Sequence, residues 1–285
     1  MSRVIGAGLN TLLKPLGLKV SRVQPVYKHQ IDWKAEYDYW SGLLWNHYDR
    51  EYGLKPHPIQ TDARIVPSGD LVDLIQSPQM GTEHGYFGSG YRNILAYFKE
   101  LHDHGFRPDR MERILEFGIG LGRLMIHYFP FKAELHGCDV TPDVLVHTRK
   151  NLGERVHIEN TGLEPPLPYE DSFFDYVYAN SVFTHIPCPS VEAWVAELHR
   201  IIKPGGCLIV TVFDASLFYP NKNYCDFHRD YEVLGCRDRN VELGVKMSTY
   251  LSRDYLHTVW GKYFTPLELR TQYLDQTHFI CRKEQ

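Results

Sequence analysis

Apolar side chains in the first third of the chain recur at helical intervals. Val4, Ile5, Leu9, Leu12, Leu13 and Leu16 make one stripe, and Trp33, Tyr37, Trp40, Leu44 and Tyr48, three or four residues apart, make a second. Residues at that spacing share one face of an α-helix, so each stripe predicts a helix with a buried side. Aromatic clusters also act as sugar-stacking platforms, but the regular spacing of the second stripe favours burial. Residues 53–69, with Gly53, Pro56, Pro58, Pro67 and Gly69, predict a connecting loop. A glycine-rich stretch from Gly85 to Gly90 then leads into Ile94, Leu95, Phe98 and Leu101, which predict a helix ending near Gly105.

From Arg113 the rhythm changes. Short apolar runs alternate with helical stretches, the pattern of a parallel sheet with crossover helices. Strands are predicted at about 113–117, 134–138, 155–159, 174–179 and 206–213, with helices at about 121–129, 142–151 and 190–202. A helix near 252–260 and strands within Tyr263–Tyr273 and Thr277–Arg282 would close the chain as an antiparallel hairpin at the sheet edge. The expected fold class is α/β, a Rossmann-like, mostly parallel sheet with a reversed last hairpin and an N-terminal helical extension. The expected organisation is a basic amphipathic segment (1–31), a helical extension or lid (32–105), and a ligand-binding domain (106–285) with an insertion at 214–247.

Composition narrows the functions. With 285 residues, 43% hydrophobic and 23% charged, the chain has enough apolar material for one large core without metal or disulfide staples. A net charge of -4 gives no global attraction to a phosphate backbone, which disfavours nucleic acid as a partner. Cys138, Cys188, Cys207, Cys225, Cys236 and Cys281 are scattered, with neither a C-x-x-C pair nor zinc-like spacing, which fits reduced thiols in a cytoplasmic protein and predicts no metal. No run of about 18 apolar residues is present, so no transmembrane helix is expected. Residues 1–31 carry Arg3, Lys14, Lys19, Arg22 and Lys28 and no acidic residue. Such a segment suits peripheral contact with an anionic membrane, packing on the domain, or organelle targeting, and these alternatives stay open. Lys14-Pro15 interrupts its apolar run, which disfavours a secretory signal.

The chemistry-bearing pattern begins at Ile114-Leu115-Glu116-Phe117-Gly118-Ile119-Gly120-Leu121-Gly122-Arg123, an apolar strand running into a glycine-rich turn. Glycines let the chain turn sharply and let a ligand lie on bare backbone. Alone the pattern is weak, and a tight turn without ligand explains it. Gly137-Cys138-Asp139 follows at the end of the next strand, 19 residues beyond Gly120, where a carboxylate can accept both hydroxyls of an adenosyl ribose. The spacing departs from the dinucleotide pattern G-x-G-x-x-G, since Arg123 stands where the third glycine belongs. Glu116 suits a ligand bearing an ammonium and a sulfonium better than one bearing two phosphates.

Glu116 through Arg123 resembles motif I of class I S-adenosylmethionine-dependent methyltransferases. Gly137-Cys138-Asp139-Val140-Thr141 resembles their ribose-binding segment, Leu167 to Asp175 their approach to strand four, and Ile201-Ile202-Lys203-Pro204-Gly205-Gly206 their turn before strand five. The resemblance covers about residues 105–285. It implies a seven-stranded sheet with the cofactor across the carboxyl ends of its strands. It also implies roles: Glu116, Gly118 and Gly120 for the methionine part, Asp139 for the ribose with Thr141 in support, and Asn160 to Leu163 after strand three, Thr161, Gly162 and Leu163 among them, for the adenine. Gly122, Arg123, Val140, Asn180 and Ser181 are further candidates for binding the cofactor. The segment after strand three lacks the Asp-Ala type pair common in that family.

A sulfonium methyl is already activated, so catalysis is mostly positioning, with a base added when the nucleophile is a hydroxyl. His185, after strand four, is the candidate general base, and a backbone-bonded loop histidine is the alternative reading. The insertion carries Tyr224, His228, Arg229 and Tyr231 as candidate substrate-binding residues. Asn180-Ser181-Val182-Phe183 departs from the Asn/Asp-Pro-Pro-aromatic motif of enzymes that methylate nucleobase amines. Small-molecule, lipid-linked or glycan acceptors with an oxygen nucleophile are therefore expected. The basic N-terminus and the closing segment Tyr273 to Lys283 resemble methyltransferases of bacterial surface-polysaccharide assembly. An NAD-dependent oxidoreductase and a non-catalytic cofactor-binding protein stay open as alternatives.

Overall fold

A computed structural model describes residues 42, 46–53, 86–214, 249–271 and 276–285. The basic segment 1–31, most of the second aromatic stripe, and Tyr224, His228, Arg229 and Tyr231 of the insertion lie outside the described residues.

A helical stretch at 46–52 is followed by α1 (Tyr86–Asp103), β1 (Arg113–Phe117), β2 (Glu134–Asp139), α2 (Pro142–Leu152), β3 (Val156–Asn160) and β4 (Phe174–Ala179). Then come α3 (Cys188–Ile201), β5 (Ile202–Asp214), the two-residue β6 (Tyr250–Leu251), α4 (Arg253–Val259), β7 (Thr265–Thr271) and β8 (Thr277–Arg282). The sheet runs β3-β2-β1-β4-β5-β8-β7, with β6 beside β5. Strands β1 to β5 are mutually parallel, and β8 enters antiparallel between β5 and β7. The expected α/β class and reversed last hairpin are what the chain forms.

Alternation along the strands divides the core. On β1 and β4, Ile114, Tyr176 and Tyr178 face one layer with Ile94, Tyr97, Phe98 and Leu101 of α1 and Val144, Leu145 and Leu152 of α2. Leu115, Phe117, Val177 and Ala179 face the other, with Val191, Trp194 and Leu198 of α3 and Leu256 of α4. Side chains two apart on a strand share a face, so Glu116 falls on the α1 side, and the register sets it opposite Tyr178. Helix α1 thus packs directly on the sheet. Tyr48 joins the same layer, its hydroxyl donating to the His127 carbonyl.

The helix expected at 121–129 does not form. A short 3₁₀ turn, Met125–Tyr128, takes its place, with all four residues buried. Gly122 stands at φ 77°, outside the helical region, and Pro130 follows within a few residues, so the segment has no room for several α-turns. Strand β5 starts earlier than expected. It takes in the Lys203–Gly206 turn as an irregularity, where the pairing with β4 jumps from Phe174↔Ile202 to Tyr176↔Cys207.

At the amino end of the sheet, Asp175 accepts the backbone N–H groups of Glu112 and Arg113 at 2.9 and 2.8 Å and pairs with Lys203 at 2.8 Å. These bonds set β1 against β4, leaving their carboxyl ends to the site.

Candidate functional site

The connection leaving the carboxyl end of β1 runs to β2, and the one leaving its neighbour β4 runs the opposite way to β5. The switch point of the sheet, the crevice at which open α/β sheets bind ligands, therefore falls between the carboxyl ends of β1 and β4. The glycine loop lines it. Gly118, Gly120 and Gly122 stand at φ 81°, 50° and 77°, a left-handed conformation that side chains other than glycine resist. The loop is fastened to β2: the N–H groups of Gly118 and Ile119 both donate to the Cys138 carbonyl, at 2.8 and 2.9 Å. A Cβ on Gly118 would sit 2.3 Å from Val182 Cγ2, and one on Gly137 would sit 2.2 Å from Ile119 Cδ1. Thr148 of α2 donates to the Gly120 carbonyl at 2.6 Å.

Asp139 ends β2, half-buried beside this loop. Its Oδ2 accepts the Gly120 N–H at 2.9 Å and its Oδ1 accepts the Thr141 N–H at 3.0 Å. A carboxylate oxygen has a second lone pair, so each remains able to accept a ligand hydroxyl. The Asp139 carbonyl in turn holds the start of the next loop, accepting Thr161 N–H at 3.0 Å and Asn160 Nδ2 at 3.1 Å. Val140 and Leu163 are the exposed apolar side chains here, 45% and 77% accessible. Trp194 Nε1 donates to the Leu163 carbonyl at 3.2 Å, anchoring that loop to α3.

Glu116 is buried and accepts the Tyr178 hydroxyl at 3.0 Å. Burial pushes its carboxyl up to about 8, while the Tyr178 hydrogen bond and the Arg123 guanidinium pull the other way. The group is therefore neutral below that pH and ionises readily when a cation arrives. Arg123, buried, donates to Ser89 Oγ of α1 at 3.1 Å. His127, buried next to it, is depressed to about 3 by desolvation and then by Arg123.

At the end of β4, Asn180 is gripped by Asn93 and Tyr97 of α1, and Ser181 stands at φ 59°. Several bonds hold Ser181 in that uncommon conformation: its N–H donates to Thr211 Oγ1 at 2.7 Å, and its hydroxyl lies 2.8 Å from Gln276 Nε2 and 3.1 Å from Gln276 Oε1. His185 is exposed on the turn that follows, its N–H donating to the Val182 carbonyl at 2.8 Å. Thr249 pins the same turn, its N–H donating to the Thr184 carbonyl at 2.7 Å and its hydroxyl to the Ile186 carbonyl at 2.7 Å. The chain just beyond the insertion therefore lies against the turn carrying His185. Among the described residues no group of three or more His, Cys, Asp or Glu could hold a metal ion.

The fold brings Glu116, the three loop glycines, Arg123, Asp139, Val140, Thr141, Thr161 to Leu163, Asn180, Ser181 and His185 to the carboxyl-end side of one sheet. Sequence reasoning missed Asn93, Tyr97, Thr148, Tyr178 and Gln276. For α1 a signal was present: Asn93, Tyr97 and Glu100, spaced by four and three residues, put polar atoms on the helix's inward face.

Comparison with solved structures agrees with this architecture. The PH0226 protein of Pyrococcus horikoshii is 16% identical with a TM-score of 0.51, covering 68% of this chain and 91% of that one. A SAM-dependent methyltransferase of Methanosarcina mazei is 16% identical with a TM-score of 0.50, covering 64% of this chain and 97% of that one. The fold is the class I methyltransferase fold. A family model described as a methyltransferase domain matches residues 114–206, which run from β1 into β5. Among curated relatives, phosphoethanolamine N-methyltransferase 2 of Caenorhabditis elegans is 28% identical over 165 residues, 54% of this chain and 36% of that protein. Sterol 4-C-methyltransferase strm-1 of the same organism is 30% identical over 142 residues, 44% of this chain and 42% of that protein. The chain spans less than half the length of these relatives.

Proposed function

We propose that this protein transfers the methyl group of S-adenosylmethionine to an oxygen nucleophile on a small-molecule, lipid-linked or glycan acceptor. The observation that carries the reading is the clamp of the glycine loop on β2: three left-handed glycines, with Gly120 N–H held by Asp139 at 2.9 Å. When bound, the cofactor supplies an electrophilic methyl on a sulfonium. The residues fit such a ligand. Bare backbone at Gly120 lets the amino-acid part approach while Gly118 makes room for Val182 beneath it, Asp139 keeps a lone pair on each oxygen for the ribose hydroxyls, and Val140 and Leu163 offer exposed apolar surface for the adenine. Glu116, buried and neutral, would ionise toward the ammonium and sulfonium charge.

Hydride transfer from NAD is the weaker reading for a structural reason. A pyrophosphate is held by the N-terminus of an α-helix that follows the loop, and here a four-residue 3₁₀ turn follows instead.

His185 is the general base, drawing the proton from the acceptor hydroxyl as the methyl arrives. Its exposure on the turn beyond β4 supports access to that proton. The named activities of the relatives span nitrogen, carbon and oxygen acceptors, so the oxygen reading rests on this chain's own Asn180-Ser181-Val182-Phe183 and on its net charge of -4, which disfavours nucleic acid. The resemblance to surface-polysaccharide methyltransferases points to glycan acceptors, with the protein cytoplasmic and residues 1–31 touching the membrane from one side. Among the described residues no helix is long and apolar enough to cross a membrane. Incubation with methyl-labelled cofactor and a panel of hydroxyl-bearing glycans and small molecules tests the reading. Label should reach a hydroxyl acceptor; donor binding without transfer to any acceptor would make the protein a non-catalytic binder.

A further inference from the structure

Asn180 directly follows β4, two residues beyond Tyr178, which pairs with Glu116, so it stands at the carboxyl end of the sheet beside the exit of β1. Its side-chain oxygen accepts two hydrogen bonds from α1, one from the Tyr97 hydroxyl at 2.8 Å and one from Asn93 Nδ2 at 3.0 Å. An amide oxygen has two lone pairs, and both are taken. Tyr97 is fully buried, its ring 5.8 Å from that of Tyr178 and 5.0 Å from that of His278, and His278 is held by Glu100 at 2.8 Å. The hydroxyl that grips Asn180 is thus fixed by packing.

The amide thus stands with its oxygen toward α1. With the oxygen turned toward α1, the Nδ2 group faces the other way. One of its hydrogens lies along a long 3.4 Å approach to Ser181 Oγ, a hydroxyl already engaged with Gln276. The second has no partner among the described residues, and Asn180 is half-buried at the crevice.

We propose that Tyr97 and Asn93 are positioning residues that lock the Asn180 amide with its N–H outward, so that the crevice offers a donor there and accepts a ligand oxygen. This rests on the methyl-transfer reading and deepens it. The oxygen belongs either to the carboxylate of the cofactor's amino-acid part or to the acceptor. In the second case the lock selects against amines, whose N–H groups would meet a donor.

Two variants test the lock. Asn180→Asp keeps the size and the oxygen that α1 grips, but puts a second oxygen where the N–H was. Tyr97→Phe keeps the ring and frees the amide to turn over. Both are checked for folding by thermal melting, then titrated with S-adenosylhomocysteine and with its decarboxylated analogue, and assayed on paired hydroxyl and primary-amine acceptors sharing one carbon skeleton. If the oxygen is the cofactor's, affinity for S-adenosylhomocysteine falls about tenfold or more and its advantage over the decarboxylated analogue shrinks. If it is the acceptor's, cofactor affinity holds and the hydroxyl-to-amine ratio of kcat/KM falls by a similar factor. Wild-type affinity, wild-type analogue preference and an unchanged acceptor ratio in both folded variants would overturn the proposal. A wild-type protein that binds neither thioether would instead overturn the methyl-transfer reading. The lock is then read apart from it, by whether the Asn180 side-chain amide resonances move in Tyr97→Phe, and their staying in place would overturn it.

Discussion

Asp139 Oδ2 accepts the backbone N–H of Gly120 at 2.9 Å, so the acid that ends β2 fixes the turn that leaves β1. The same side chain accepts the Thr141 N–H through its other oxygen at 3.0 Å, which ties the start of α2 to the loop. Asp139→Ala should release both donors. The expected loss is about 2 kcal/mol of stability by denaturant unfolding, in line with hydrogen bonds to a charged group, together with at least a tenfold fall in affinity for S-adenosylhomocysteine. Asp139→Asn should retain more of the stability than of the affinity.

Gly118 is constrained twice, by φ 81° and by Val182 Cγ2 at 2.3 Å from where a Cβ would lie. Gly118→Ala should cost about 2–4 kcal/mol, combining left-handed strain with overpacking. Adding Val182→Ala should return the overpacking part only. A double-mutant cycle by chemical denaturation measures the coupling, and strict additivity would show that the two positions do not press on each other.

Glu116 titrates at about 8 when folded, against 4.5 ordinarily, because it is buried. Between those values the folded protein holds a proton that the unfolded chain has released. The stabilising contribution is complete below 4.5 and is lost as pH rises through about 8. Glu116→Gln stays neutral, so the fall in Tm across that window should be smaller in the variant than in the parent. Saturation with S-adenosylhomocysteine, whose ammonium favours the ionised carboxyl, should also flatten the parent's slope.

His185→Ala should lower turnover about a hundredfold and spare cofactor affinity, the signature of a lost general base. Its side chain is exposed, so stability should stay within about 0.5 kcal/mol of the parent. An unchanged rate would make it a loop histidine.

Strands β1, β2, β4 and most of β5 were legible because each is a run buried on both faces, and Gly118, Gly120 and Asp139 stood out because a glycine-rich turn and an acid at the end of the next strand are local patterns. The 3₁₀ turn at Met125–Tyr128 was not, since its apolar residues satisfy a helical pattern while Gly122 and Pro130 confine the length. Asn93 and Tyr97 were missed for a different reason. They lie 87 and 83 residues before Asn180 and meet it only because α1 packs over β1 and β4. No local pattern carries a contact of that range.

The most direct measurement is calorimetric titration of the full chain with S-adenosylhomocysteine and, separately, with NADH, repeated on Gly120→Val. S-adenosylhomocysteine should bind the parent at one site and fail to bind the variant, with no heat from NADH in either. Tight binding of NADH with none of S-adenosylhomocysteine, or undiminished affinity in Gly120→Val, would contradict the assignment of the loop and the function drawn from it.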